Sequence, residues 1–364
     1  MSYSGLQRAA TTLTEACWRI PGSFSVARLL GRSYSLRCVV FHDISAAESP
    51  FTAGMRISTT PEKFEAALRF LTAHYTPVHL EDVLTNCNGR GLPPRALLVT
   101  FDDAYASVAE LGAPLCRQFG VPAVYFVNAA LLDNQRLSPD NLVCYVANVL
   151  GMETINAAVR AVPGKETLKL RSLADVIYVL FPAISLAERE VFLDALRQVS
   201  GINERRMAQD ANLYMTGKQL CDLKSFDFEI GNHTYTHTRC RSLTRDEFAL
   251  EVDRNKAELE AVTGTKVRSF SVPYGSSQDV TPELAEHLDR SGHQAVFLNE
   301  GAANLRGTDL FYVDRICSSV KSDDTMFSEI EILPRLRAMR NRLFPNPALA
   351  RAPRIHSSAY RQEP

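Results

Sequence analysis

Three short stretches put side chains capable of chemistry close together. The run Val99-Thr100-Phe101-Asp102-Asp103 ends an apolar segment on two adjacent carboxylates. Two such charges leaving a buried strand repel each other; a bound cation relieves that repulsion and leaves one carboxylate free as a base. In Gly231-Asn232-His233-Thr234-Tyr235-Thr236-His237 the histidines are four apart. On a helical turn that spacing brings both imidazoles to one face, as in zinc-binding H-E-x-x-H segments. Two imidazoles and one carboxylate leave coordination positions for water and substrate, which is the make-up of a catalytic rather than a structural metal site. The third stretch, Phe270-Ser271-Val272-Pro273-Tyr274-Gly275, is a tight turn after a strand. It can aim a backbone N–H, that of Tyr274, at a developing oxyanion. Read singly, each stretch has a plainer explanation: a turn or helix cap, two structural histidines, a simple turn.

What would position these groups is a series of short apolar runs. Strands are expected at Cys38–Phe41, Ala96–Phe101, Ala123–Val127, Phe228–Ile230, Arg268–Val272, Ala295–Leu298 and Phe311–Ile316. Most are nearly continuous in apolar residues, as strands buried on both faces are. Polar groups follow them repeatedly at the same end: His42 and Asp43, Asp102 and Asp103, Asn128, His233 and His237, Tyr274, Asn299. Capped helices lie between the strands. Thr60-Pro61-Glu62 and Thr281-Pro282-Glu283 set a hydroxyl before a proline at the first helical position, and Thr244-Arg245-Asp246-Glu247 is a capping box. Alternating strands and helices imply a parallel sheet or barrel, with catalytic groups at the C-terminal strand ends. Residues from about 131 to 215 break the rhythm and read as a helical insertion.

Composition bounds the rest. The 364 residues carry 40 Lys+Arg against 41 Asp+Glu, a formal net charge of -1, and 46% are hydrophobic. That supports a large core and excludes disordered or coiled-coil classes. The balanced charge argues against nucleic acid as a partner. The eight cysteines include no C-x-x-C pair and several sit in apolar runs, so buried free thiols are expected. The N-terminus shows no apolar signal region, and a cytoplasmic location is expected. The chain divides into an N-terminal helical segment over 1–35, a barrel over 36–320 and a basic tail over 321–364. From Leu333 to Arg361 there are seven arginines and no acidic residue. This suits a solvated, partly disordered tail, or a patch for an anionic partner such as a membrane or a lipid-linked substrate. Oligomeric state is open.

Together, Val99-Thr100-Phe101-Asp102-Asp103-Ala104-Tyr105, Gly231 to His237 and Phe270 to Gly275 resemble, in order, the first three motifs of the polysaccharide deacetylases (carbohydrate esterase family 4), over about Cys38 to Ile316. The resemblance implies an α/β fold, a distorted (β/α) barrel of about seven strands with a helical insertion. It implies a divalent metal, commonly zinc, bound by Asp103, His233 and His237. Asp102 would be the catalytic base and the Tyr274 main-chain N–H the oxyanion donor. The implied reaction is metal-assisted hydrolysis of an N-acetyl group on an amino sugar, with an N-acetylated saccharide as partner.

Three positions depart from the family pattern. Ala104 stands where glycine is usual, at a cost of about 1 kcal/mol if φ is positive there. Ser271 stands where many members carry an arginine that orients the base. The late motif with a general-acid histidine is not recognisable; the late strand reads Tyr312-Val313-Asp314-Arg315-Ile316-Cys317. His42 or metal-bound water is the candidate acid, and His293 reads as structural. Arg315 could pair with Asp102, contact substrate or serve a structural ion pair. The alternatives are a non-catalytic carbohydrate-binding protein, or the same chemistry on a lipid-linked sugar or another small amide.

Overall fold

The computed structural model describes residues 34–86, 90–305, 311–318 and 320–343. The N-terminal helical segment expected over 1–35, apart from its last two residues, lies outside them, as do Cys17 and Cys87.

The main strands are β1 (Tyr34–Phe41), β2 (Ala96–Asp102), β3 (Ala123–Val127), β4 (Phe228–Asn232), β5 (Ser269–Ser271), β6 (Ala295–Leu298), β7 (Tyr312–Asp314) and β8 (Ile316–Cys317). They pair in parallel, in chain order from β1 to β7. β8 pairs in parallel with β1, so β7 and β8 act as one strand broken at Arg315 that closes the sheet on itself. The expected barrel of about seven strands is present. Every residue of β2, β3, β5 and β6 is buried, in keeping with a barrel whose outer face is covered by helices and whose inner face is filled by the strands' own side chains.

Register decides where the chemistry lands. Phe41 pairs with Phe101, Asp102 with Phe126, Val127 with Asn232 and Asn232 with Phe270. The residues just past these positions therefore emerge at one level of the barrel rim. A Cβ on Gly231 would sit 2.3 Å from the Phe126 ring, so only glycine lets β4 lie this close to β3 just before His233.

Between β3 and β4 the chain is helical, with elements that include Pro139–Tyr145, Met152–Val159, Leu186–Ser200 and Glu204–Ala211. Ser185 and Glu188 form the expected capping box, and Gly201 ends its helix at φ 66. This segment is stitched to the first motif. The Met215 N–H donates to the Ala104 carbonyl, and the Ala106 N–H to that of Leu213.

The basic tail does not begin where the sequence suggested. Residues Asp323–Phe327, Ser328–Ile332 and Leu333–Leu343 are helical, and Met326, Phe327 and Ile330 belong to the main core. Glu331 makes a buried two-point ion pair with Arg37 at 2.8 and 3.1 Å. These apolar residues and Glu331, which precede the arginine-rich stretch, dock this part onto the barrel. Residues 344–364 lie outside the described range. Among the described residues no helix is long and apolar enough to cross a membrane. Cys38, Cys116, Cys144 and Cys240 are buried free thiols as expected, whereas Cys317 is exposed.

Candidate metal and active site

Asp103 follows β2 with φ 79 and Ala104 follows with φ 62. Ala104 thus occupies the left-handed conformation that suits the usual glycine. It is fully buried, so its methyl group packs while its backbone is strained. The turn throws the Asp103 carboxylate across the rim toward the loop after β4.

That loop is not the helical turn expected from the spacing. His233 to Arg239 is irregular, with Thr234 at φ 61 and His237 at φ 55. Asn128 just past β3 holds it, its amide donating to the carbonyls of His233 and Thr234. Asn232 accepts from the Thr234 N–H at 3.0 Å and from Asn255 at 2.7 Å. The two imidazoles end with ring centroids 5.0 Å apart. A loop with two left-handed residues brings them together as the helix would have done. His293 is buried behind Asn232, with Nε2 3.2 Å from its amide nitrogen.

Asp103, His233 and His237 offer ligand atoms that lie within 4.8 Å of one another. Asp103 Oδ1 is 3.3 Å from His233 Nε2 and 3.5 Å from His237 Nε2. His233 Nδ1 is 2.8 Å from the Ser271 carbonyl, which can only accept, so Nδ1 carries the proton. His237 Nδ1 meets the Asp140 carboxylate at 2.6 Å, which fixes the same tautomer. In the neutral imidazoles both Nε2 lone pairs then face a carboxylate oxygen that is buried and has no hydrogen-bond partner. Three convergent lone pairs repel unless a cation lies between them, so these residues fit a divalent metal. Burial draws His237 down, but Asp103 and Asp140 outweigh it and push its pKa up to about 9. Burial acts to raise Asp103, yet the two histidines hold it well below the ordinary carboxylate range. Both shifts express a site that calls for positive charge.

Asp140 was not singled out from the sequence. It lies in the first turn of Pro139–Tyr145, inside the helical segment, and is buried. Besides His237 it accepts from the Tyr274 hydroxyl at 2.9 and 3.1 Å. Its neighbour Asn141 pins the helix start, donating to the Tyr105 hydroxyl at 2.9 Å and accepting from the Tyr214 hydroxyl at 2.6 Å.

Asp102 is buried, and Arg315 grips it with Nη1 on Oδ1 and Nη2 on Oδ2, both at 2.7 Å. The guanidinium also donates to Ser271 Oγ at 2.8 Å and to the Leu298 carbonyl at 3.1 Å. Burial acts to raise Asp102, but Arg315 and then His233 hold its pKa below the usual value. The guanidinium on Asp102 thus comes from the β7–β8 break rather than from position 271 on β5, where Ser271 is small enough to admit it. Of the three roles open to Arg315, pairing with Asp102 is the one observed.

Tyr274 has φ 63 in the turn after β5, and its ring lies 4.9 Å from that of His237. Gly275 (φ 69) presses on Asn299; a Cβ there would lie 2.7 Å from the Asn299 nitrogen. His42 follows β1 beside Asp102 and has no hydrogen-bond partner among the described residues. Burial lowers its pKa against the opposing pull of Asp103 and Asp102. The backbone at His42 is fixed through Asp43, whose carboxylate accepts from Ser58 and Ser107, both at 2.7 Å.

Comparison with known proteins gives a consistent picture. Residues 200–293 match the polysaccharide deacetylase family model, a span holding the second and third motifs but not Asp102 or Asp103. No curated protein matches. Among solved structures, a deacetylase from Streptococcus pyogenes, PplD in complex with acetate, is similar with TM-score 0.54 at 13% identity, covering 81% of this chain and 98% of that one. IcaB from Ammonifex degensii is similar with TM-score 0.52 at 17% identity, covering 82% and 98%. The putative polysaccharide deacetylase BA0330 from Bacillus anthracis gives 0.51 at 13%, covering 81% and 68%. The resemblance read from the motifs is borne out: the chain carries a polysaccharide deacetylase match over residues 200–293, set in the barrel that these solved deacetylases share.

Proposed function

We propose that this chain is a metal-dependent hydrolase that removes N-acetyl groups from an amino sugar in a polysaccharide or glycoconjugate. The observation that carries the reading is Asp103 Oδ1, buried and without a partner between two Nε2 atoms. The family match and the shared barrel support the sugar amide as substrate.

A divalent cation held by Asp103, His233 and His237 would polarise the acyl oxygen and acidify a water, and zinc suits a set of two nitrogens and one oxygen. Asp102 takes the proton from the attacking water. Arg315 keeps that carboxylate ionised and holds both its oxygens in place. The Tyr274 main-chain N–H donates to the oxyanion as the acyl carbon becomes tetrahedral. His42 gives a proton to the nitrogen as the C–N bond breaks, releasing acetate and the free amine. Asp140 keeps His237 in the ligating tautomer.

The departures at Ser271 and at the late motif motivated a non-catalytic alternative. The bidentate Arg315–Asp102 pair favours the enzyme, since it supplies what Ser271 lacks. The helix Leu333–Leu343 exposes Leu336 and Met339 among arginines, which supports a substrate presented near a lipid surface.

The test is acetate release from N-acetylated oligosaccharides by purified protein, with bound metal measured in parallel. Turnover should fall by about 10²–10⁴-fold in Asp102→Asn while metal is retained. Normal turnover in that variant would remove Asp102 from its role. Metal-loaded wild type that releases no acetate from any N-acetylated sugar would favour the binding protein.

A further inference from the structure

Beside Tyr274, between the loop after β4 and the start of the helix Leu186–Ser200, lies a small cavity to which the proposed deacetylation assigns no role. Its volume is about 10 Å³, room for one water-sized group, and Arg189, Arg239, Thr238, Ser242 and Tyr274 are among its walls.

Arg189 comes from the helix Leu186–Ser200 and is 5% exposed. Its Nη2 donates to Thr236 Oγ1 at 2.8 Å and, at 3.4 Å, to Glu190. Its Nε is buried and has no partner. Arg239 donates from Nη1 to Asp279 at 2.9 Å and lays its guanidinium over the Tyr274 ring, 4.1 Å from the centroid. Its Nε, too, is buried and without a partner. The nearby acids are already engaged. Asp279 is shared by Arg239 and Arg241, and Glu251 accepts from the Thr236 hydroxyl and N–H. Two guanidinium groups, that of Arg189 buried and that of Arg239 half-buried, thus line one cavity, each with a buried Nε that has no partner. Leaving charged donors unmet is expensive, and planar guanidinium forks match the oxygens of carboxylates and phosphates. The Tyr274 ring that lines the cavity lies 4.9 Å from the ring of His237, so one residue separates the cavity from the ligand set.

We propose that Arg189 and Arg239 form an oxyanion subsite, so that the saccharide acted on carries a negatively charged substituent close to the N-acetyl group. The inference rests on the deacetylase reading for its placement, though not for its test. One oxygen of the substituent enters the cavity and the rest lies outside, since the volume admits no more. A uronate carboxylate and a phosphate ester share this chemistry.

Calorimetry on the metal-loaded protein separates the cases, with inorganic phosphate, glucuronate and neutral glucose as probes. At least one anion should bind wild type in preference to glucose and bind Arg189→Gln about tenfold more weakly. Any phosphate held by the metal itself is unaffected by that substitution. Ser242→Asp, which puts a carboxylate at the cavity wall, should weaken the anion to a similar degree and covers the case in which Arg189→Gln does not fold. Preference for phosphate assigns a phosphate ester, and preference for glucuronate assigns a uronate. Equal anion affinity in wild type and in the folded variants would overturn the subsite. Acetate release from neutral oligosaccharides without any anion effect would sink the subsite alone, whereas Arg189-dependent anion binding without acetate release would sink only the deacetylase reading.

Discussion

Asp102, Asp103, His233 and Tyr274 reach the site from strand ends, whereas Asp140 and Arg189 come from the helical segment between β3 and β4. The first group is placed by parallel register: once the strands pair, their C-terminal ends lie at one level and whatever follows them converges. The second group is placed by tertiary contacts: Asn141 to Tyr105 and Tyr214 beside Asp140, and Thr236 to Arg189. The rim supplies the atoms proposed to react, and the helical segment sets their protonation and the charge of the surroundings. The difference predicts that changes at the rim abolish function or folding, while changes in the segment tune affinity.

The largest expected effect on stability is at the barrel closure. Arg315→Gln leaves Asp102 buried without its cation and should destabilise folding by about 3–5 kcal/mol near neutral pH, read by denaturant unfolding. The Asp102 pKa is depressed in the folded state, so the stability it contributes is present above the ordinary carboxylate value of about 3.9 and is lost as pH falls through the folded value. The gap between wild type and variant should therefore narrow in acid. A gap of under about 1 kcal/mol at neutral pH would mean that the pair is not what closes the barrel.

Next comes Asp140, the segment's direct hold on the metal set. Asp140→Asn should lower metal affinity or turnover by about 10–100-fold, less than the loss of a ligand. If its effect equals that of removing His237, the division between rim and segment fails. A gentler probe is pH. His42 must be protonated to donate, and its pKa lies below the ordinary value of 6.5. Turnover should then fall as pH rises through the lowered His42 value, on the acid side of 6.5, and a fall that appears only above pH 6.5 would exclude His42 as the acid. The smallest effect is expected at Ala104→Gly. Relief of the left-handed strain and loss of a buried methyl group are each about 1 kcal/mol and oppose each other, so unfolding free energy should change by less than that.

The same division sets how much the sequence revealed. Apolar runs ending in Asp102, in His233 and His237, and in Tyr274 were readable because strand and functional residue are adjacent in the chain. Asp140 was hidden because Ser138-Pro139-Asp140 reads as an ordinary helix start: the serine caps, the proline fills the first position and an acid there suits the helix dipole. Four-residue spacing is compatible with a helical turn and carries no sign of the left-handed residues at Thr234 and His237 that bring the histidines together instead. Arg315 left a visible trace, a lone arginine inside a late strand, but its partner depends on β8 returning to β1. Ser271 departs from the motif pattern in the sequence; in the folded chain it makes room for that arginine.

The measurement that tests the account most directly is metal content of the purified wild type and of Asp103→Ala, loaded in parallel with zinc and dialysed. About one ion should stay with each wild-type chain and essentially none with the variant, with the fold of both intact by circular dichroism. Equal zinc in both, or none in either after loading, would contradict it.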